Sequence, residues 1–170
     1  MPKQPTLDSD NTWYLVETKP RQESLAAFNL KNQGFSVFWP KMHKTIRHAR
    51  KTSVRAASLF PGYLFVEGSS RANWSAVNGT FGAKRMVTNG GGPIALAAGF
   101  VEALKARAGT DDVIDFDGGF QPENSMASAS ELFTKKFSDL GSLNDQGRIF
   151  ALMEFLDPLR RLSASQDCSQ

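Results

Sequence analysis

Three features of the sequence predict an α+β fold, a small antiparallel sheet covered by helices. Short runs of aromatic and branched residues at 13–16, 35–39 and 62–66 read as strands. Stretches with apolar residues at helical spacing alternate with them and stop at glycine. Their order is strand, helix, strand, hairpin, strand, short helix, strand, helix, which suits a sheet with helices packed on it.

Residues 1–10 are polar with two prolines and are expected to form a flexible N-terminus before the strand at 13–16. From Pro20, Leu25, Phe28 and Leu30 fall at helix-compatible spacing and Gly34 closes the pattern, which predicts a helix over 20–33. A second strand spans 35–39. Pro40 then opens a stretch with many Lys, Arg and His and no apolar periodicity before Leu59, expected to be an exposed hairpin or loop. The strand at 62–66 is apolar on both faces: Tyr63 and Phe65 share one side, Leu64 and Val66 the other, so it needs two partners. A brief helix over 71–77 leads to a turn at Asn78 and Gly79, and a strand at 84–88 leads to a turn at 89–92. Phe100, Val101, Leu104 and Ala108 make a helical stripe over 97–108 that stops at Gly109.

These elements define a first domain over 11–108. Residues 109–125 are acidic and hold Gly118, Gly119 and Pro122, the composition of a linker. A second, smaller domain is expected over 126–165 and a tail over 166–170. Read locally, 126–165 favours a helical hairpin. Ser130 can cap a helix carrying Leu132, Phe133, Phe137 and Leu140 that ends at Gly141; Ile149, Leu152, Met153 and Leu156 form a second stripe before Pro158.

Composition narrows the function classes. The hydrophobic fraction of 41% supplies a core. The single cysteine, Cys168, permits no intramolecular disulfide and no Cys-based metal cluster, consistent with a reducing cytoplasm. The first ten residues lack an apolar signal region, and no run approaches the ~18 apolar residues of a membrane span. A cytoplasmic protein with no membrane partner is expected. Net charge is +3, but 15 Lys and Arg face 6 Asp and Glu up to Arg107, and 5 face 11 beyond it, so +9 is followed by −6. That asymmetry points to a basic surface meeting nucleic acid or an acidic partner, and to attraction between the two parts. Catalysis has no support. His43 and His48 both lie in the basic hairpin with no carboxylate pair or nucleophile in a catalytic order, and no metal-ligand spacing occurs. Gly90–Gly92 lacks the Lys and Ser/Thr of a phosphate loop. No enzyme activity, cofactor or metal is expected.

Two segments carry a resemblance to a known family: Trp-Tyr-Leu-Val at 13–16 followed by Lys19, and Leu-Phe-Pro-Gly-Tyr-Leu-Phe-Val at 59–66. With the basic hairpin between them and Asn-Gly-Thr-Phe-Gly at 78–82, they resemble the N-terminal (NGN) domain of the NusG/RfaH transcription elongation and antitermination factors. The opening strand and 59–66 are most similar to the specialised RfaH-like branch. The resemblance covers about 11–108.

It implies that Phe60, Pro61, Tyr63 and Phe65 dock on the clamp helices of the largest RNA polymerase subunit. From the residues alone, the favoured reading is that Tyr63 and Phe65 lie under another part of their own domain. Phe100, Val101 and Leu104 could border the same patch or be core. Asn73, Trp74 and Ser75 fall where the RfaH-like branch contacts the gate region of the second polymerase subunit, although Trp74 could simply pack. Lys19, Arg21 and Gln22 fall where that branch meets non-template DNA, and Phe81 could stack on a splayed base. Pro20 and Phe81 depart from the branch's basic residues there. Lys44, Arg47, Arg50 and Lys51 lie in the hairpin that the family holds near upstream DNA, and such a cation run attracts phosphates without reading sequence. A charge run can also be only a solvated hairpin tip.

The family's second domain is a KOW β-barrel that recruits a ribosomal protein or a termination factor. Residues 131–134, 147–153 and 160–162 could fill three of its strands, an alternative to the helical hairpin. The RfaH-like branch also implies autoinhibition, with the C-terminal segment covering Phe60, Tyr63 and Phe65. The second functional reading is a basic nucleic-acid-binding module unconnected to polymerase.

Overall fold

A computed structural model describes residues 12–68, 73–89, 92–97, 99–116 and 139–156. The elements are β1 (Thr12–Thr18), α1 (Glu23–Asn32), β2 (Ser36–Phe38), β3 (Lys41–His48), β4 (Lys51–Ser58), β5 (Tyr63–Gly68), α2 (Trp74–Asn78), β6 (Ala83–Met86), α3 (Phe100–Ala106), β7 (Val113–Ile114) and α4 (Asp145–Leu156). The predicted α+β class holds. β2, β5, β1 and β6 form one antiparallel sheet in that order, and β4, β3 and β7 form a second.

Strand alternation explains why the central sheet is apolar on both faces. Tyr14 and Val16 of β1 join Leu64 and Val66 of β5 on one face, closed by Ala26, Ala27 and Leu30 of α1 and Val77 of α2. Trp13 and Leu15 join Phe65 and Phe38 on the other, closed by Phe100, Val101 and Leu104 of α3 and by Ala151, Leu152, Phe155 and Leu156 of α4. Fully burying one such Leu or Phe contributes about 1.5–3 kcal/mol. Each face is therefore a core in its own right.

Several expectations need correction. The first helix begins at Glu23 rather than 20, because Arg21 takes a left-handed backbone (φ 60) and Gln22 N–H donates to the Lys19 carbonyl in a turn. Phe28, read as part of the apolar stripe, is 63% exposed, because at about 3.6 residues per turn it lies opposite the face formed by the buried Ala26, Ala27 and Leu30. The last helix of the first domain starts at Phe100, after Gly99 at φ +83. Within the stretch read as a linker, β7 pairs in parallel with Lys41 and Met42 of β3, and Lys41 N–H donates to the Asp112 carbonyl at 2.8 Å. Of the C-terminal alternatives, 147–153 lies in a helix and not in a strand. Residues 131–134 and 160–162, and most of the first stripe of the proposed hairpin, lie outside the described residues; its last member, Leu140, is buried against the second core.

Candidate functional site

The segment Phe60-Pro61-Gly62-Tyr63 is a tight turn built by its own residue types. Tyr63 N–H donates to the Phe60 carbonyl at 3.0 Å, and Gly62 sits at φ +85, as a type II turn with proline at its second position requires. Two neighbours fix it: Gly62 N–H donates to Glu23 Oε1 at 2.8 Å, and Thr18 N–H donates to the Gly62 carbonyl at 2.8 Å. The turn drives Phe60 inward and launches β5 with Phe65 on the same side.

Phe60 and Phe65 meet edge to face with centroids 5.8 Å apart, and both touch Phe100, at 6.4 and 6.0 Å. Phe100 in turn meets Phe155 of α4 at 4.5 Å. Both Phe60 and Phe65 are fully buried, whereas Pro61 and Tyr63 are half-buried. Burial, and then the Glu17 carboxylate, push the Tyr63 hydroxyl above its ordinary pKa. Phe100, Val101 and Leu104 thus border the predicted patch, and α4 closes it.

Polar contacts fasten α4 in place. Arg148, 4% exposed, donates through Nε to the Leu59 carbonyl at 2.9 Å and through its other nitrogens to the Leu143 carbonyl and the Asp145 carboxylate. Asp145 also takes Lys44 Nζ of the hairpin at 3.0 Å. Lys44 foremost, with Arg148 beside it, holds the Asp145 carboxyl below the ordinary carboxylate range. Sequence reading passed over Arg148 and Asp145. A buried arginine in an acidic segment was the only available signal, and burial is not visible in one dimension.

The second cluster lies where β1 meets α1. Lys19 N–H donates to the Gly82 carbonyl at 2.9 Å, which brings the Lys19–Gln22 turn beside the turn carrying Phe81. Lys19 Nζ stands 5.6 Å from the centre of the Phe81 ring, and that ring is 67% exposed. Asn29 Nδ2 donates to the Phe81 carbonyl at 3.0 Å. Gly82 makes the approach possible: it sits at φ +96, and a Cβ there would lie 2.7 Å from the Ala26 nitrogen. Lys19, Arg21 and Phe81 are exposed, and Gln22 Oε1 is buried without a partner among the described residues. Nearby on β6, Lys84 and Arg85 both pair with Glu17, at 2.6 and 2.7 Å, which lowers the Glu17 pKa.

The basic stretch is a regular hairpin from Lys41↔Ser58 to His48↔Lys51. Its two-residue turn has Ala49 at φ 42 and Arg50 at φ 68, the paired left-handed conformation that matches strand twist. Strand alternation places Met42, Lys44, Ile46 and His48 on one face with Ala57, Arg55, Ser53 and Lys51 opposite them, and Arg47 on the other face. Arg47, Arg50, Lys51 and Arg55 are exposed. In α2, Asn73 caps the helix through its side chain, Trp74 packs on Tyr14 at 4.5 Å, and Ser75 is exposed. The site residues therefore fall into four groups, of which the one holding Phe60 and Phe65 is largely buried, and Trp74 packs on Tyr14.

Among the described residues no group of His, Cys, Asp and Glu could hold a metal ion, and no helix is long and apolar enough to cross a membrane. No curated protein sequence matches the chain. A family model described as NusG, transcription termination factor nusG, matches residues 11–105, which span β1 to most of α3 and more than half of the 170 residues. The chain therefore belongs to the NusG family of transcription elongation and termination factors, non-enzymatic proteins whose partner is RNA polymerase.

Proposed function

We propose that the chain is an RfaH-like antitermination factor that binds the clamp helices of the largest polymerase subunit through the face holding Phe60, Pro61, Tyr63 and Phe65, and that α4 masks this face until the transcription complex displaces it. The observation that carries the reading is the closure of the second core by a helix from a distant acidic segment. That helix is fastened at Leu59, which immediately precedes the turn, and at Lys44 of the hairpin.

In this reading Lys19, Arg21, Gln22 and Phe81 meet the non-template strand, by phosphate pairing and base stacking. Lys44, Arg47, Arg50 and Lys51 face upstream DNA through counterion release. Asn73 and Ser75 reach the gate region of the second subunit, which holds the clamp closed and opposes pausing. The released segment over 126–165 is then free to recruit a ribosomal protein or a termination factor in the cytoplasm, as the resemblance implies. The test is pull-down with core RNA polymerase after nuclease treatment, comparing a chain unmasked by Leu152→Glu with the same chain also carrying Tyr63→Ala. Retention of the unmasked chain and its loss on adding Tyr63→Ala support docking; loss of both on nuclease treatment rejects it.

The exposed cations Arg47, Arg50, Lys51 and Arg55 of the hairpin and the exposed Phe81 favour one alternative, a general nucleic-acid-binding module. Capture that depends wholly on nucleic acid would select it.

A further inference from the structure

We propose that α4 and a DNA duplex compete for one face of the β3–β4 hairpin, with Asp145 standing at Lys44 where a backbone phosphate would sit. The inference rests on the reading of the hairpin as a nucleic-acid surface and adds what occupies it when no DNA is bound.

Register and alternation place two cross-strand pairs on that face, Lys44↔Arg55 and His48↔Lys51. Four residues separate them along the strand, roughly 13 Å at the rise of a β-strand. A duplex major groove is about 12 Å wide and admits a two-stranded ribbon. The pairs can therefore reach phosphates on its two rims. Among the described residues Asp145 is the carboxylate paired to a hairpin cation, and it meets Lys44 with both oxygens, at 3.0 and 3.3 Å. That is the geometry of an anion already seated.

The exchange is a small step in energy. Lys44 and Asp145 are each nearly half exposed, so their pairing is weak, and a duplex presents about one phosphate per 1.7 Å of axis. When a phosphate takes Lys44, Asp145 keeps Arg148 as its partner, so no bare carboxylate is left behind. The rest of α4, however, loses its fastening to the hairpin. Binding of duplex and docking of α4 are thus linked through one lysine, and the linkage must be reciprocal.

The experiment uses the full chain and a fluorescent 20-base-pair duplex at low salt, without polymerase. Asp145→Asn should tighten duplex binding roughly three- to fivefold, the range an exposed ion pair sets. Asp139→Asn, the same charge change in an exposed residue of the same segment, should give a clearly smaller gain. In a Lys44→Gln background the Asp145→Asn gain should vanish, and duplex should accelerate amide exchange in α4 of the wild-type chain. Equal gains from Asp139→Asn and Asp145→Asn, or a gain that persists without Lys44, would overturn the proposal while leaving polymerase docking untouched. Absence of duplex binding in every form overturns both this proposal and the nucleic-acid reading of the hairpin, and again leaves the pull-down result standing.

Discussion

The two faces of the central sheet are built alike in chemistry and differently in provenance. The face of Val16, Leu64 and Val66 is closed by α1 and α2, both inside the family-matched region and joined to their strands by short turns. The face of Leu15, Phe60 and Phe65 is closed by α3 and then by α4, which returns from more than thirty residues beyond the matched region. Loop closure over such a length costs little extra, but it fixes nothing locally. The contrast separates a face closed wholly within the family-matched region from one closed by a helix beyond it, and on the proposed function only the second has a cover that can leave.

The largest effect should come from the first face. Leu30→Ala removes a fully buried side chain, and a loss of about 2–5 kcal/mol is expected in denaturant unfolding, with the whole domain affected. Gly82→Ala comes next, at about 1–3 kcal/mol, because the residue must keep φ +96 and its new Cβ would press on the Ala26 backbone. Gly82→Ala should also displace Phe81 from Lys19.

Phe155→Ala sharpens the comparison. If the second face is coverable, this change should abolish amide protection in α4 while shifting the midpoint of the central sheet by less than about 1 kcal/mol. A global loss of about 3–5 kcal/mol, as for an ordinary core Phe, would make the two faces equivalent. The smallest effect is on pH. Asp145 titrates below its ordinary value in the folded chain, so its latch is fully present above pH 3.8 and fades as pH falls through the lower folded value. Protection of α4 should therefore weaken in that acid window and be unchanged between pH 5 and 7 on account of this group.

Much of the fold was legible because local pattern and tertiary structure agree. Alternation around Tyr63–Val66 predicted a strand with two apolar faces, and both faces are buried; the hairpin followed from a cation run without apolar period, bounded by Pro40 and Leu59. Misreadings arose where tertiary packing overrode the pattern. Phe28 was grouped with Leu25 and Leu30, yet the face that packs on the sheet runs through Ala26, Ala27 and Leu30 and leaves Phe28 on the far side of α1. The segment at 113–114 carries linker composition but finds an open strand edge at β3. Of the two readings open for Tyr63 and Phe65, a docking patch or interior, the structure shows Phe65 fully buried and Tyr63 half-buried against the same core, with Phe60 buried beside them. Arg148 and Asp145 were invisible because their role depends on partners 89 and 101 residues away. Because Phe65 is fully buried, Phe65→Ala would first damage the core and is a poor docking probe.

The most direct test uses the full chain carrying Leu152→Glu, which places a charge in the buried face of α4 and leaves residues 11–105 unaltered. Affinity for core RNA polymerase should rise about tenfold over wild type if α4 covers the face in nine molecules of ten. Equal or weaker affinity, with the central sheet still folded by circular dichroism, would contradict masking of a polymerase-docking face.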